Sequence, residues 1–259
     1  MKIGLIGSGN ISEFLLDYFH TTPQTDVSIT ALFSRNIETT QYLATKYQVT
    51  PFHSFEEFMH SDIDVVIEAA NITATIEYAP KLLKNGKDIL IISVGAFAEP
   101  DFSTEVARIC NEHGTKVYLP SGAIGGLDVL KAAVTVDGLK DVSIVTRKPA
   151  NSLTDEPITE PKVLFEGYAK EAIKLFPKNI NVSIILSLVG LGIAQTKVKI
   201  IADPGITKNI HTIEATGEFG TLSLNIENNP MPGNPKTSFL AALSILSTLK
   251  EIEGNMSIG

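Results

Sequence analysis

Cysteine is nearly absent from this chain, since Cys110 is the single cysteine among 259 residues. One cysteine cannot form an intramolecular disulfide, and it excludes zinc sites built from several thiolates. The sequence also has no His-Glu-x-x-His segment and no acidic cluster at ligand spacing. It therefore predicts neither a disulfide-stabilised fold nor a metal centre.

Long apolar runs and excess positive charge are lacking as well. The apolar stretch at residues 182–193 is too short to span a bilayer, and the run at residues 3–6 is too short for a signal peptide. We therefore expect a cytoplasmic protein without a membrane partner. The net charge of −8 disfavours a general nucleic-acid-binding surface, so an anionic ligand needs a local positive pocket.

The first half of the chain alternates apolar, strand-like runs with stretches whose apolar residues recur at helical spacing. The strand-like runs are residues 3–6, 27–33, 64–68, 88–92 and 116–119, and the helical stretches are residues 11–20, 36–47, 73–83 and 99–113. Such alternation predicts parallel β-α-β units with right-handed crossovers. We expect an α/β, doubly wound Rossmann domain over residues 1–119.

The pattern changes after Pro120. Strands are expected at residues 142–146, 163–166, 198–202, 210–216 and 222–226, and helices at residues 127–136, 179–191 and 235–250. Adjacent strands joined by turns predict a C-terminal α+β domain, residues 120–259, with a mixed or antiparallel sheet. An alternative for the final helix is that it packs against the first domain. One face of the second sheet is expected to need a further protein surface packed against it, which favours a homodimer.

A glycine pair marks the first strand-to-helix junction. Gly7 suits a tight turn, Gly9 allows the backbone to approach a pyrophosphate, and the helix start at Asn10 and Ile11 offers free N–H groups and a positive dipole end. Ser12 stands where a third glycine is usual, and its side chain is still small. The junction predicts a dinucleotide site, with a plain turn as the alternative.

Residues that follow the later strands bear on which dinucleotide binds. An acid after the second strand would bind the ribose 2′-hydroxyl, but the chain has Ser34 and Arg35, which suit a 2′-phosphate. We therefore favour NADP over NAD, while dual use and a merely solvated Arg35 stay open. Ala69 and Ala70 follow the third predicted strand, where small residues would line the cofactor crevice.

Three segments of the second half carry a more specific signal. They read PSGAIGGLD at residues 120–128, LFPKNINV at residues 175–182 and NPKTS at residues 234–238, with NIH at 209–211 and GEFG at 217–220. With these segments the chain resembles the L-aspartate dehydrogenase family over nearly its whole length. The resemblance implies NAD(P)-dependent oxidative deamination of L-aspartate to iminosuccinate, which water converts to oxaloacetate and ammonia and which can feed NAD biosynthesis.

The same resemblance assigns roles to single residues. It implies that Ala123 and Asn181 contact the cofactor and that His211 is the active-site histidine. Ser12 and the Ser34-Arg35 pair depart from the common family pattern. These departures bear on cofactor preference rather than on the reaction.

His211 lies in an alternating stretch, so it shares a predicted sheet face with Ile213 and Ala215. A lone histidine on such a face is usually a hydrogen-bonded core residue, whereas the family resemblance favours catalysis. Imidazole can accept and return a proton near neutrality, so His211 is the candidate that deprotonates the amine or activates the attacking water. The other histidines fall in or near predicted surface helices: His20, His53, His60 and His113.

The segment at residues 234–238 is predicted to open the final helix, with Asn234 as N-cap and Pro235 at the first helical position. A capped helix start explains the segment by itself. The functional alternative is that free N–H groups and polar side chains hold a substrate carboxylate. The candidate substrate residues are Asn234, Lys236, Thr237 and Ser238.

A dianionic amino acid needs a second anchor. Arg147 and Lys148 are candidates, although such a pair at a strand end usually faces solvent. Asp128 at a helix start and Asp203 in an Asp-Pro-Gly turn are interpreted as structural residues.

Two other functions remain open from the residues. A glucose-fructose oxidoreductase-like enzyme would have the same architecture, but such enzymes commonly carry a lysine-proline pair after the fourth strand, and residues 95–100 contain no lysine. A non-catalytic NAD(P)-binding sensor would keep the glycine loop without needing His211. Turnover of L-aspartate distinguishes the three.

Overall fold

The computed structural model describes residues 1–22, 26–176 and 180–255, apart from the side chains of residues 235 and 236. These residues form two compact units, one of residues 1–120 with 248–255 and the other of residues 121–247. Within the described ranges, no helix has the length and apolar character needed to cross a membrane.

The first unit is built on a six-stranded parallel sheet. Its elements are β1 (Lys2–Ile6), α1 (Asn10–Thr21), β2 (Ser28–Phe33), α2 (Ile37–Tyr47), β3 (Thr50–Phe52), α3 (Phe55–Met59), β4 (Val65–Glu68), α4 (Ile72–Lys84), β5 (Asp88–Ile91), α5 (Pro100–His113) and β6 (Val117–Tyr118), with a 3-10 turn at Val94–Ala98. The strand order is β3-β2-β1-β4-β5-β6. The predicted doubly wound sheet is confirmed, and its order reverses between β1 and β4, where such folds bind ligands.

The second unit contains a five-stranded mixed sheet. Its elements are α6 (Leu127–Val134), β7 (Leu139–Pro149), a 3-10 turn at Ala150–Ser152, β8 (Lys162–Tyr168), α7 (Ala169–Leu175), α8 (Asn181–Val189), β9 (Lys197–Asp203), β10 (Asn209–Gly217), β11 (Gly220–Asn228), β12 (Pro230–Met231), β13 (Asn234–Ser238) and the start of α9 (Phe239–Glu253). The strand order is β11-β10-β7-β9-β8. Strands β7 and β9 are parallel and the other neighbours antiparallel, which confirms the predicted mixed sheet.

The predicted start of the final helix is wrong. Residues 234–238 form strand β13, paired with β12, and helix α9 begins at Phe239. Pro232 and Gly233 occupy the turn between the two strands, and Gly233 has a φ of +74° that favours glycine at this turn position. Asn234 therefore does not cap a helix, and its side-chain amide instead donates to Thr237 Oγ1 at 2.9 Å.

Besides the β12–β13 hairpin, the periodicity did not anticipate β3, α3 and α7. They have three, five and seven residues, too few to show a repeating pattern. The helix expected at residues 179–191 is observed as α8, from Asn181 to Val189. Pro177, Lys178 and Asn179 lie outside the described residues.

Candidate cofactor and active sites

The turn after β1 is shaped for a phosphate group. Gly7 has a φ of +110°, and a Cβ atom at this position would lie 2.5 Å from the carbonyl oxygen of Ala69, so a side chain is excluded. A Cβ atom at Gly9 would meet nothing within 4 Å, and no side chain caps the α1 start that Gly9 precedes. Open space beside uncapped helical N–H groups fits the pyrophosphate of a dinucleotide.

A cleft of about 410 Å³ lies over this turn, at the carboxyl ends of β1, β2 and β4. Six residues predicted to bind cofactor line it: Gly7, Gly9, Ser34, Arg35, Ala69 and Ala70. Asn10 and Ile11 form the first turn of α1, immediately after Gly9. Residue types gave no signal for Asn36, which caps α2, or for Tyr78 within α4, and both also line the cleft.

Ser34 and Arg35 lie at the rim where the adenosine end of a dinucleotide would bind. Ser34 Oγ accepts from the Asn36 backbone N–H at 3.1 Å and is 2.9 Å from Ser8 Oγ. The exposed Arg35 guanidinium is 3.8 Å from the Glu77 carboxylate. The hydroxyl is therefore held in place, whereas the guanidinium can turn toward a ligand.

Glu68 is a fully buried acid at the end of β4 that sequence reasoning missed. Its carboxylate accepts hydrogen bonds from Ala70 N at 2.8 Å, from Ser93 N at 3.0 Å and from Ser93 Oγ at 3.0 Å. Burial raises the pKa of this carboxyl, and the bonds from Ala70 and Ser93 oppose the rise. Glu68 thereby joins the segments after β4 and β5, the first of which lines the cleft.

His211 lies on the inner face of the second sheet, in β10, and only 2% of its surface is exposed. It pairs in register with Thr146 of β7, and its Nδ1 is 3.1 Å from Thr146 Oγ1. Burial, and then the positive charge of Lys148, lowers the pKa of His211 to about 3. The imidazole is therefore neutral at physiological pH, which leaves one ring nitrogen able to accept a proton.

Lys148, which the sequence offers with Arg147 as a candidate second anchor, lies in β7. The prediction that Arg147 and Lys148 together face solvent is wrong, because β7 continues to Pro149 and places the two on opposite faces. Arg147 binds Asp203 at 2.7 Å, whereas Lys148 lies on the His211 face with 8% of its surface exposed. Burial lowers the pKa of Lys148 to about 8.

Asp203, interpreted as a turn residue, ends β9 and is buried.

The proposed substrate segment at residues 234–238 is split by the strand alternation. Ser238 is buried, and its Oγ accepts from Asn209 Nδ2 at 3.1 Å, two residues from His211 along β10. Asn234 and Thr237 bond to each other within the β12–β13 hairpin instead. The Lys236 side chain lies outside the described residues.

The two remaining predicted cofactor residues lie in the second unit. The Ala123 carbonyl accepts from Asn228 Nδ2 at 3.1 Å, so the end of β11 holds the segment at residues 121–126. Asn181 is exposed at the first position of α8. Among the residues that the structure describes, no group of three His, Cys, Asp or Glu side chains is placed to hold a metal ion.

Comparison with family models places the two units in known groups. Residues 128–252 match the model described as aspartate dehydrogenase, C-terminal. Residues 7–120 match the model described as homoserine dehydrogenase, NAD binding domain.

Individual relatives match over the whole chain. L-aspartate dehydrogenases from Methanococcus maripaludis and Methanospirillum hungatei are 39% and 40% identical, and each match covers 100% of this chain and 99% of the relative. The crystal structure of aspartate dehydrogenase from Thermotoga maritima superposes with a TM-score of 0.79 at 34% identity, covering 100% of this chain and 99% of that one.

Proposed function

The chain belongs to the L-aspartate dehydrogenase family, and on that premise we propose that it catalyses the NAD(P)-dependent oxidative deamination of L-aspartate. The α-carbon loses a hydride and the amine loses a proton to give iminosuccinate, which water converts to oxaloacetate and ammonia. The observation that carries the proposal is His211, a buried neutral base fixed by Thr146 on a sheet face that also holds a buried cation.

In this proposal the first unit holds the cofactor. Gly7, Gly9 and the start of α1 at Asn10 and Ile11 bind the pyrophosphate, and Ser34 with Arg35 reads the adenosine ribose. Ala69 and Ala70 line the path toward the nicotinamide. The resemblance of their segments to the family adds Ala123 and Asn181 as cofactor contacts. When bound, the oxidised nicotinamide supplies the hydride acceptor that no amino-acid side chain provides.

His211 moves the proton in this proposal. When Nδ1 carries hydrogen and donates to Thr146 Oγ1, the lone pair on Nε2 is available to take a proton from the substrate amine or from the attacking water. The hydrogen bond selects the ring orientation, so Thr146 is a positioning residue. Within the segment at residues 234–238, Ser238 is the proposed substrate-binding residue, because it is bonded to Asn209 near His211. Asn234, Lys236 and Thr237 are weaker candidates for substrate binding.

The test is turnover of L-aspartate with NAD or NADP, followed by absorbance of the reduced nicotinamide. We expect His211→Ala to lower kcat by roughly 10²- to 10⁴-fold, the usual contribution of a general base, while cofactor binding by fluorescence is retained. His113→Ala, at the exposed end of α5, is the matched control and should be unaffected. Wild-type protein that binds cofactor yet turns over no L-aspartate would contradict the proposal.

We also propose that the enzyme is cytoplasmic and homodimeric. The single cysteine suits a reducing compartment. Val163 and Tyr168 on edge strand β8 are apolar side chains that are about half exposed, which supports a covered surface there. Sedimentation that gives a monomer at micromolar concentration would contradict the dimer.

A further inference from the structure

Lys148 shares one face of the second sheet with His211. Thr146 pairs with His211 across β7 and β10, and Lys148 follows Thr146 by two residues, so all three side chains point to the same side. Only 8% of Lys148 is exposed. A charged group held out of water beside a candidate base is typical of a ligand-binding site, because such a group is kept there at a cost in stability.

We propose that Lys148 binds a carboxylate of the substrate beside His211. The identity of that substrate rests on the proposed function, which supplies an amino acid with two carboxylates. The adjacent cation, Arg147, is engaged on the opposite face by Asp203 at 2.7 Å, and the Asp203 carboxylate also accepts from Gly205 N at 2.8 Å. Arg147 therefore lies on the face away from His211, and of the two adjacent cations only Lys148 shares the face of the candidate base.

Asn209 supplies a second observation that points to a ligand with a donor group. It lies two residues before His211 in β10, on the same face, and is 2% exposed. Asn209 Nδ2 donates to Ser238 Oγ, while Oδ1 has no hydrogen-bond partner among the described residues. A buried acceptor without a donor is unfavourable, and the amino group of the substrate would satisfy it. A buried cation and a buried acceptor on one sheet face match the carboxylate and the amine of an α-amino acid.

The remaining positions on this sheet face carry no charge that could take the role of Lys148. They are Val142 and Ile144 on β7, Val198, Ile200 and Ala202 on β9, Ile213 and Ala215 on β10, and Leu222, Leu224, Ile226 and Asn228 on β11. At the edge, Lys162 of β8 is exposed and pairs with Glu156 at 3.0 Å. Helix α8 has no ionisable side chain, and Asp128 and Lys131 of α6 are exposed.

Carboxylate binding at Lys148 would also change the chemistry of His211. Burial, and to a smaller extent the Lys148 charge, lowers the pKa of His211 to about 3, well below the range in which a histidine is an effective base. A carboxylate paired with Lys148 offsets that charge, so the pKa of His211 rises when the substrate binds. Empty and occupied sites thus differ in the basicity of the imidazole.

The test uses succinate, a dicarboxylate without the amine, titrated calorimetrically into protein loaded with NADP or NAD. Lys148 is charged below its pKa of about 8, so we expect a constant Kd up to that pH and a weakening of about tenfold per pH unit above it. Lys148→Met should weaken binding roughly 100-fold and remove the pH break. Lys148→Arg should restore binding to within about tenfold of wild type, without a break, because arginine stays charged.

Two further measurements separate the anchor from a structural role. Lys199→Met is the matched control, since Lys199 lies on neighbouring β9, on the opposite face, paired with Glu166 at 2.9 Å. The His211 pKa, followed by NMR, should rise on succinate binding in wild type and not in Lys148→Met. Succinate binding that survives Lys148→Met or shows no pH break overturns the anchor. Failure to turn over L-aspartate despite pH-dependent succinate binding would instead overturn the proposed reaction.

Discussion

At the scale of residues, two adjacent side chains of β7 lie on opposite faces of the sheet and differ in burial. Arg147 pairs with Asp203 and keeps a large exposed fraction, whereas Lys148 is buried beside His211. A parallel division holds at the cofactor rim, where Ser34 is fixed by two hydrogen bonds and Arg35 is exposed near Glu77. In the proposals above, Lys148 and Arg35 are the members of these two pairs that contact a ligand.

Arg35 provides a test of cofactor preference at this scale. If its guanidinium pairs with the 2′-phosphate of NADP, Arg35→Ala should raise the Kd for NADPH about tenfold and leave the Kd for NADH within about twofold. Fluorescence titration with each nucleotide measures both. Glu77→Gln is the control, because it frees Arg35 from its nearest carboxylate without removing the positive charge. Equal weakening of NADPH and NADH would show that Arg35 does not read the phosphate.

The sequence could name Lys148 as a candidate anchor but could not show that it is buried on the face of His211, and the reason is the length of one strand. Family-like segments around residues 209–211 pointed to His211, while the predicted strand ended at Thr146. The observed strand runs to Pro149. Because buried and outward side chains alternate along it, Lys148 is buried two residues after Thr146. Burial beside another ionisable group depends on pairing with a distant strand, which no local pattern specifies.

At the scale of elements, Glu68 connects two adjacent strands of the first sheet. Its carboxylate accepts backbone hydrogen bonds from Ala70, after β4, and from Ser93, after β5. Parallel strands are joined by hydrogen bonds along their length, but the segments beyond their carboxyl ends need other partners. Glu68 supplies those partners at the point where the cofactor cleft opens.

Replacing the carboxylate with an amide tests this connection. Glu68→Gln keeps the shape but turns one acceptor into a donor that faces another donor, so we expect a loss of about 1–3 kcal/mol in the free energy of unfolding. Urea denaturation measures the loss, and Glu105→Gln on the exposed side of α5 should change it little. Unchanged stability would indicate that Glu68 is already protonated and donates as glutamine does.

Elements were predictable where they were long and regular. Strands β1, β2, β4, β5 and β6 and most helices followed from periodicity, whereas β3, α3, α7 and the β12–β13 hairpin did not. Local signals did exist for two of these. Ser54, whose side chain accepts from Glu57 N, forms an S-x-x-E start for α3, and Pro232-Gly233 is a turn dipeptide. At the hairpin two local signals conflict. Pro232-Gly233 indicates a turn and Asn234-Pro235 indicates a helix start, and the observed pairing of β12 with β13 agrees with the turn.

At the scale of the whole molecule, the buried lysine should lower stability. The pKa of Lys148 is about 8 in the folded protein, where burial lowers it from the 10.5 of an exposed lysine, so the folded form disfavours the charge. The free energy of unfolding should therefore rise as pH increases from about 8 to about 10.5, and the cost is fully present below pH 8. Lys148→Met should stabilise the protein by about 3 kcal/mol at pH 7, equivalent to this shift of about 2.5 pH units.

Urea denaturation of wild type and Lys148→Met at pH 7 and at pH 10.5 measures this effect. The difference between the two proteins should be large at pH 7 and small at pH 10.5. A variant that is both more stable and unable to bind succinate would show that the site is kept at the expense of stability. Equal stability at both pH values would mean that other groups already compensate the ammonium charge.

The pairing of β7 with β10 has one more consequence. Thr146 stands opposite His211, and Ile210 stands opposite Arg147. Sliding one strand by a single position would present Arg147 to the imidazole and turn Lys148 outward, since every side chain would change sides. A substitution at an outward position of β7 leaves this pairing in place, whereas a residue inserted or deleted before Lys148 would separate Lys148 from His211.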